Sequence, residues 1–167
     1  MIVTYSKEVI KVGIAQMDIV KVPQTIRTSG LGSCVGAVIY DDSKKVAGMV
    51  HVMLPDSSLN RTATMNVAKF ADTGIAALVD LLKQEGAQRF KLKAKIAGGA
   101  QMFQFTADKD SMRIGPRNVD AVKAQLKELG IPLIAEDTGG NSGRTIEFNP
   151  ETCMLQVRTV NKGVSEI

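Results

Sequence analysis

Two nearly continuous apolar runs, separated by a short polar turn, constrain the fold more than any other feature of this sequence. The runs cover residues 34–40 and 46–54, and the turn between them is the Asp-Asp-Ser-Lys segment 41–44. Strands that are buried on both faces have continuous apolar sequence rather than an alternation of apolar and polar residues. Asp and Ser favour turns because their side chains bond to the local backbone. The sequence therefore predicts a hairpin in the interior of the protein.

The rest of the hydrophobic pattern predicts further strands and two main helices. Strand patterns cover residues 9–22, 90–96, 133–135, 145–148 and 153–160, and a short segment, residues 26–28, leads into a glycine-rich loop. Helical spacing covers residues 64–85, and a second helix is expected to begin near Pro116 and to stop at Gly130. Strands that include hairpins, together with two helices, favour an α+β fold with mainly antiparallel strands. The length of 167 residues predicts one domain over residues 1–167.

Two local patterns carry specific expectations about burial. In residues 90–96 apolar positions, beginning with Phe90, alternate with lysines that include Lys95, which predicts one inward face and one solvated basic face. Cys153 alternates with Leu155 and Val157, so its side chain is expected in the core.

Composition argues against several classes of function. The net charge is +4, the lysines are dispersed, and aromatic residues make up only 4% of the chain, which does not favour nucleic-acid binding. The first residues lack a basic stretch followed by an apolar one, and no run of eighteen apolar residues occurs. We therefore expect a cytoplasmic protein that does not insert into membranes, with reduced thiols. Two cysteines and one histidine are too few for an ordinary zinc site, and Gly30-x-Gly32 does not complete a dinucleotide motif, so no metal or cofactor is expected.

His51 is the single histidine of the chain, so any cysteine–histidine catalysis must use it. Cys34, which a glycine-rich segment frames, is the natural nucleophile, because the only other cysteine of the chain, Cys153, lies in an ordinary strand pattern. A neighbouring imidazolium lowers the pKa of a thiol, and the imidazole then protonates the leaving group and activates water. The alternative is that Cys34 is an inert buried thiol and His51 a structural side chain.

A simple register places the two candidate residues together. If residues 41–44 form the hairpin loop, Cys34 lies directly opposite His51, with Cβ atoms about 5 Å apart. Alternatively, Cys34 begins a short helix after the glycine loop. Free N–H groups of Gly32, Ser33 or Cys34 are candidates for an oxyanion site. Thr28 is a candidate to orient the imidazole.

Several blocks of the sequence resemble the chemoreceptor glutamine deamidase family, CheD, over roughly residues 9–160. They are Thr28-Ser29-Gly30-Leu31-Gly32-Ser33-Cys34-Val35, Tyr40-Asp41, Gly48-Met49-Val50-His51-Val52-Met53-Leu54-Pro55, Gly98-Gly99-Ala100-Gln101-Met102-Phe103, Ile114-Gly115-Pro116-Arg117-Asn118, and Asp137-Thr138-Gly139-Gly140-Asn141-Ser142-Gly143-Arg144. The resemblance implies hydrolysis of glutamine side-chain amides, and of glutamyl methyl esters, on bacterial chemotaxis receptors. It assigns the catalytic roles to Cys34, His51 and Thr28, and it implies a layered cysteine-hydrolase fold similar to toxin-type glutamine deamidases.

The resemblance also implies partners and a surface that binds them. The partners are cytoplasmic helices of chemotaxis receptors and, where it exists, the response-regulator phosphatase CheC, so the protein is expected as a monomer or as a heterodimer with that phosphatase. Candidate residues for a shared groove are Gly98, Gly99, Met102, Phe103, Arg117, Gly139, Gly140 and Arg144. Core positions for Met102 and Phe103, and a plain turn at residues 138–144, are the alternatives. The alternative function is a regulatory binding module that controls CheC.

Overall fold

Ten strands and two α-helices occur within the residues that the computed structural model describes, 8–102 and 113–167. The strands are β1 Val9–Val12, β2 Met17–Lys21, β3 Thr25–Leu31, β4 Val35–Asp41, β5 Val46–Val52, β6 Lys93–Gly98, β7 Leu133–Thr138, β8 Arg144–Asn149, β9 Met154–Thr159 and β10 Gly163–Glu166. The helices are α1 Ala71–Gln84 and α2 Ile114–Glu128, and short 3-10 turns lie at Ser57–Leu59, Val67–Lys69 and Arg89–Lys91.

The strands form two sheets that pack face to face, with both helices on one side. The inner sheet has the order β2-β5-β4-β6-β7, and the outer sheet has the order β1-β3-β8-β9-β10. Both helices contact the inner sheet, which therefore lies between the helices and the outer sheet. Every residue of β4 and β5 is buried, as the continuous apolar runs predicted.

Two hydrophobic cores follow from these layers. The first lies between the inner sheet and the helices and includes Val35, Ala37, Ile39, Val50, Val52, Ile75, Leu78, Leu82, Val122 and Leu126. The second lies between the sheets and includes Val38, Tyr40, Ala47, Met49, Ile146, Phe148, Leu155 and Val157. Each fully buried large side chain contributes about 1.5–3 kcal/mol to folding. Even-numbered residues of β4 and residues 47 and 49 of β5 thus face the outer sheet.

The predicted α+β class and the mainly antiparallel pairing are confirmed. Six of the eight strand pairs in the described part of the chain are antiparallel, and the parallel exceptions are β1 with β3 and β6 with β7. Neither α1 nor α2, the helices of the described ranges, is long and apolar enough to span a membrane.

Several predicted boundaries were wrong. The strand predicted over residues 9–22 is two strands in different sheets, because the chain turns at residues 13–16, where Ala15 has a φ of 59°. The helix predicted from residue 64 begins at Ala71, since the Asn66 side chain caps a separate 3-10 turn before it. Strand β10 was not predicted, because all four of its residues are exposed and the sequence there shows no strand pattern.

Two predicted side-chain environments were wrong, and a third holds only in part. Phe90, expected inside, lies in a 3-10 turn and is fully exposed. Lys95, expected on a solvated face, is buried between the sheets, where its ammonium donates to the carbonyls of Cys153 and Ile167. Cys153 precedes β9 with a φ of 59° and packs against the inter-sheet core, as expected, but it is only partly buried. Tertiary pairing of the sheets, rather than local alternation, decided these positions.

Candidate active site

The hairpin of β4 and β5 carries His51 and places it on the face that looks toward the outer sheet. Gly36 lies opposite His51, and Asp41 lies opposite Val46, so the loop is residues 42–45 rather than 41–44. The predicted pairing of Cys34 with His51 was therefore wrong by two residues. A shift of two residues keeps every side chain on its face. Cys34, just before β4, packs against the inter-sheet core and lies diagonal to His51 on the same side.

A chain of buried hydrogen bonds orients the imidazole of His51. The Thr28 hydroxyl donates to the Val12 carbonyl at 2.8 Å, so its oxygen accepts from Nδ1–H of His51 at 2.7 Å. This arrangement selects the tautomer that leaves Nε2 as a lone-pair acceptor. Nε2 is buried and has no hydrogen-bond partner among the described residues. The predicted contact between Thr28 and the imidazole is confirmed, and it uses the hydroxyl.

Two glycines let the backbone elements of the site approach one another. A Cβ atom at Gly36, opposite His51, would lie 2.6 Å from Cδ1 of Ile146 in the outer sheet. A Cβ atom at Gly98 would lie 2.4 Å from the Cys34 carbonyl oxygen, and Gly98 has a φ of 109°. Larger residues would push the outer sheet away from His51 and would displace the backbone of Cys34.

Burial keeps both candidate catalytic groups neutral. Desolvation lowers the pKa of His51 to about 4 and raises the pKa of the Cys34 thiol. The prediction of a thiolate stabilised by an imidazolium in the free protein was therefore wrong. A neutral thiol beside a neutral imidazole suits general-base chemistry, in which the thiol proton moves to Nε2 as the sulfur attacks a substrate.

The low pKa of His51 predicts a pH-dependent contribution to stability. The unfolded chain binds a proton at His51 near pH 6.5, whereas the folded chain binds it only near pH 4. The unfolded state therefore holds more protons between these values, and the free energy of unfolding should fall by about 3 kcal/mol as the pH falls through this window. Urea unfolding of the wild type and of His51→Gln at pH 7 and pH 4.5 measures this contribution. The variant should lose less stability than the wild type, and equal losses would contradict the low pKa.

The segment before β4 presents amide groups beside the Cys34 thiol. The N–H of Gly32 donates to the Gly30 carbonyl at 3.1 Å, so Gly32 is not an oxyanion donor. The N–H groups of Ser33 and Cys34 have no backbone acceptor in the described part of the chain. Ser33 and Cys34 thus remain the candidates to bind a developing oxyanion.

Three donors hold the carbonyls of this same segment. Ala100 N–H donates to the Gly32 carbonyl at 2.8 Å, Gly99 N–H donates to the Cys34 carbonyl at 2.8 Å, and the Asn118 side-chain nitrogen donates to the Ser33 carbonyl at 2.9 Å. Asn118 was not among the site residues predicted from the sequence. Its only signal was its place in the block of residues 114–118.

Two further loops adjoin the nucleophile segment. Gly139 N–H donates to the Gly98 carbonyl at 3.0 Å, and Gln101 N–H donates to the Gly140 carbonyl at 2.9 Å. Met102 lies over the nucleophile segment, since a Cβ atom on Gly32 would be 3.3 Å from Cγ of Met102. Met102 is 47% exposed, so the core alternative is wrong for this residue.

Some of the residues predicted to line the groove are buried and cannot contact a partner. Gly98 and Gly99 are buried behind Cys34, and Arg144 is buried with its guanidinium donating to the Asp137 carboxylate and to the Gly139 and Ser142 carbonyls. Arg144 therefore shapes the loop of residues 139–143 from within. Partly or fully exposed candidates are Met102, Arg117, Gly139 and Gly140, and Phe103 lies outside the described residues. Residues 8–102 and 113–167 contain no group of three or more metal-ligating His, Cys, Asp or Glu side chains.

These features define an α+β protein with a partly buried cysteine and a buried histidine on one face of a central hairpin, between two sheets. Comparison with known proteins then gives the family. The family model described as CheD chemotactic sensory transduction matches residues 53–159. The chain belongs to this family.

The family model begins after Cys34 and His51, but individual relatives match nearly the whole chain. A chemoreceptor glutamine deamidase CheD of Halalkalibacterium halodurans is 60% identical over 160 residues, which are 96% of this chain and 99% of that protein. One of Bacillus subtilis is 59% identical over 159 residues, 95% of this chain and 96% of that protein. A crystal structure of Bacillus licheniformis YfiH is 18% identical with a TM-score of 0.42, covering 68% of this chain and 46% of that one.

Proposed function

We propose that this protein hydrolyses the side-chain amides of glutamines on bacterial chemotaxis receptors and converts them to glutamates. The observation that carries the proposal is the buried His51, whose Nδ1 is bonded to Thr28 and whose Nε2 has no hydrogen-bond partner among the described residues, on the face of the hairpin where Cys34 packs. The relatives at about 60% identity, named chemoreceptor glutamine deamidases, support the substrate class. The layered arrangement is the basis for proposing a likeness to toxin-type glutamine deamidases.

The proposed reaction proceeds through a thioester on Cys34. The sulfur attacks the amide carbon while the thiol proton moves to Nε2 of His51. The amide oxygen becomes an oxyanion, which the N–H groups of Ser33 and Cys34 stabilise. His51 then gives its proton to the departing nitrogen, and ammonia leaves. His51 next removes a proton from water as the water attacks the thioester, and glutamate and the thiol are released. A glutamyl methyl ester would react in the same way and release methanol.

We further propose that a receptor helix contacts the exposed part of the loops beside Cys34. Met102 offers an apolar contact, while Arg117 and the backbone of Gly139 and Gly140 offer polar ones. The same surface is proposed for CheC, as a heterodimer in the cytoplasm. If binding to CheC were the main role, receptor glutamines would remain unchanged, so a chemical assay separates the two functions.

Intact-mass analysis of a receptor cytoplasmic fragment tests the proposed function. Each amide converted to a carboxylate raises the mass of the fragment by a fixed increment, and peptide mapping then locates the glutamates. We expect increments with the wild-type protein and none in a matched incubation without it. An unchanged mass, together with measurable binding of CheC, would overturn the deamidase proposal in favour of the regulatory module.

Thr28 should contribute less than the two reacting residues, because it orients His51 through one hydrogen bond. Thr28→Val removes the hydroxyl and keeps the shape of the side chain. By analogy with partners that orient metal-bound histidines, it should lower the initial deamidation rate roughly 10–100-fold. Thr28→Ser keeps the hydroxyl and should stay closer to the wild type. A Thr28→Val protein as inactive as Cys34→Ala would mean that Thr28 does more than orient the imidazole.

A further inference from the structure

Asn118 is a fully buried polar side chain that joins the two parts of the candidate site. It lies in the first turns of α2, and its side-chain nitrogen donates to the Ser33 and Met53 carbonyls, each at 2.9 Å. Ser33 precedes Cys34, and Met53 follows the end of β5 two residues after His51. The two acceptors also fix the orientation of the amide, because an oxygen in place of the nitrogen would face two carbonyl oxygens.

The bond to Ser33 acts on the peptide unit that includes the N–H of Cys34. In a trans peptide the C=O and the N–H point in opposite directions within one plane. A donor that holds the Ser33 carbonyl therefore sets the direction of the Cys34 N–H. Donation to the carbonyl also polarises the peptide and strengthens its N–H as a donor. Among the described residues, Asn118 is the one side chain with a hydrogen bond to this carbonyl.

The oxygen of the Asn118 amide, unlike the nitrogen, has no partner among the described residues, so this side chain also carries a cost in stability. Its Oδ1 is buried and has no described hydrogen-bond partner. An unsatisfied buried acceptor costs about 1–3 kcal/mol of stability. This cost offsets part of what the two hydrogen bonds of the side-chain nitrogen contribute, and one of the two carbonyls belongs to the same peptide as the proposed oxyanion donor, the Cys34 N–H.

We propose that Asn118 is a positioning residue that aims the N–H of Cys34 at the oxyanion formed during deamidation. This inference rests on the proposed function, since it concerns the step in which the amide oxygen gains charge. Asn118 touches neither substrate nor sulfur in this role. It acts through the Ser33–Cys34 peptide, so its removal should slow the chemical step without changing the reactivity of the thiol.

Two measurements, kcat of deamidation and the rate of alkylation of Cys34, distinguish this positioning role from a general structural role in the site. The variants are Asn118→Leu and Asn118→Asp. Loss of one oxyanion donor should lower kcat of deamidation roughly 10²–10³-fold, with KM within a few-fold of the wild type. Alkylation of Cys34 by iodoacetamide forms no oxyanion, so in Asn118→Leu, which adds no charge, its rate and pH dependence should stay at wild-type values. The carboxylate of Asn118→Asp would itself disfavour the Cys34 thiolate, so only Asn118→Leu is used for alkylation. Asn149→Asp makes the same chemical change at the opposite end of β8 from Arg144 and should leave both rates unchanged.

Alkylation of Asn118→Leu that falls in parallel with its kcat would overturn the proposal, because Asn118 would then act on the thiol or on His51. A kcat within a few-fold of the wild type would overturn it as well. An NMR experiment on the wild type needs no variant to fold. A small aldehyde that adds to Cys34 forms a hemithioacetal, and the signals of the Cys34 N–H and of the Asn118 side-chain N–H should both shift. An unmoved Asn118 signal would contradict the proposal, even if receptor fragments show no deamidation and the proposed function itself fails.

Discussion

Cys34→Ala should abolish deamidation of receptor fragments, leaving a rate equal to that of the incubation without protein. The reason is that the sulfur forms the covalent bond of the proposed thioester, and the methyl group of alanine cannot form that bond. Initial rates from intact-mass spectra measure the effect. Removal of a nucleophile that acts as a unit with its base commonly costs several orders of magnitude. The side chain is only partly buried, so the variant should fold.

Cys153→Ala is the matched control for this variant. Burial, together with the Asp42 carboxylate that accepts from the thiol at 3.4 Å, raises the pKa of Cys153 to about 11. We therefore expect Cys153→Ala to deamidate at the wild-type rate. An acid quench of the wild type during turnover of a methyl-ester substrate should also show mass added at Cys34. Residual deamidation by Cys34→Ala, or equal losses in the two cysteine variants, would contradict the role of Cys34.

His51→Gln should lower kcat/KM for deamidation roughly 10²–10⁴-fold, the usual contribution of a general acid–base group. Glutamine has a similar size and retains a donor toward Thr28, but it cannot accept the thiol proton. The pH profile provides a second test. Because the pKa of His51 is about 4, the wild type should keep its kcat/KM as the pH falls below 6 and should lose it only near pH 4.

This profile follows from the lowered pKa of His51. Protonation of Nε2 removes the base, and burial disfavours that protonation until the pH is low. His51→Gln should lack this acid limb altogether. An inflection near pH 6.5 in the wild type would show that the imidazole is solvated in the working protein. A near-wild-type rate for the variant would exclude His51 as the base.

The local sequence predicted the structure correctly where both faces of a strand are buried, because such strands consist mostly of apolar residues. Strands β4 and β5 show this, because both of their faces are covered and the apolar runs predicted them directly. Cys34 and His51 could be selected for a different reason. With one histidine and two cysteines in the chain, the choice of residues was small before any geometry was known. The contact of Thr28 with the imidazole was also predicted correctly.

Register and ionisation could not be predicted from residue types alone. Lys45 adopts a φ of 52°, which moves the hairpin loop by one residue and the pairing of His51 by two. The neutral state of Cys34 and His51 results from packing of the outer sheet over the hairpin, and residue types alone predicted the opposite state. Lys95 shows the same limit, since an alternating pattern cannot reveal that a second sheet covers the lysine face.

The sequence by itself thus determined the class of the fold, its buried hairpin and the two residues that could react. Only the tertiary structure decided how they are placed and charged. It brought Thr28 from the outer sheet to His51, Gly99 and Ala100 to the backbone around Cys34, and Asn118 to the Ser33 carbonyl. The physical reason is that hydrophobic patterning records whether a side chain is buried. Hydrogen bonds and desolvation depend on which distant residues bury it.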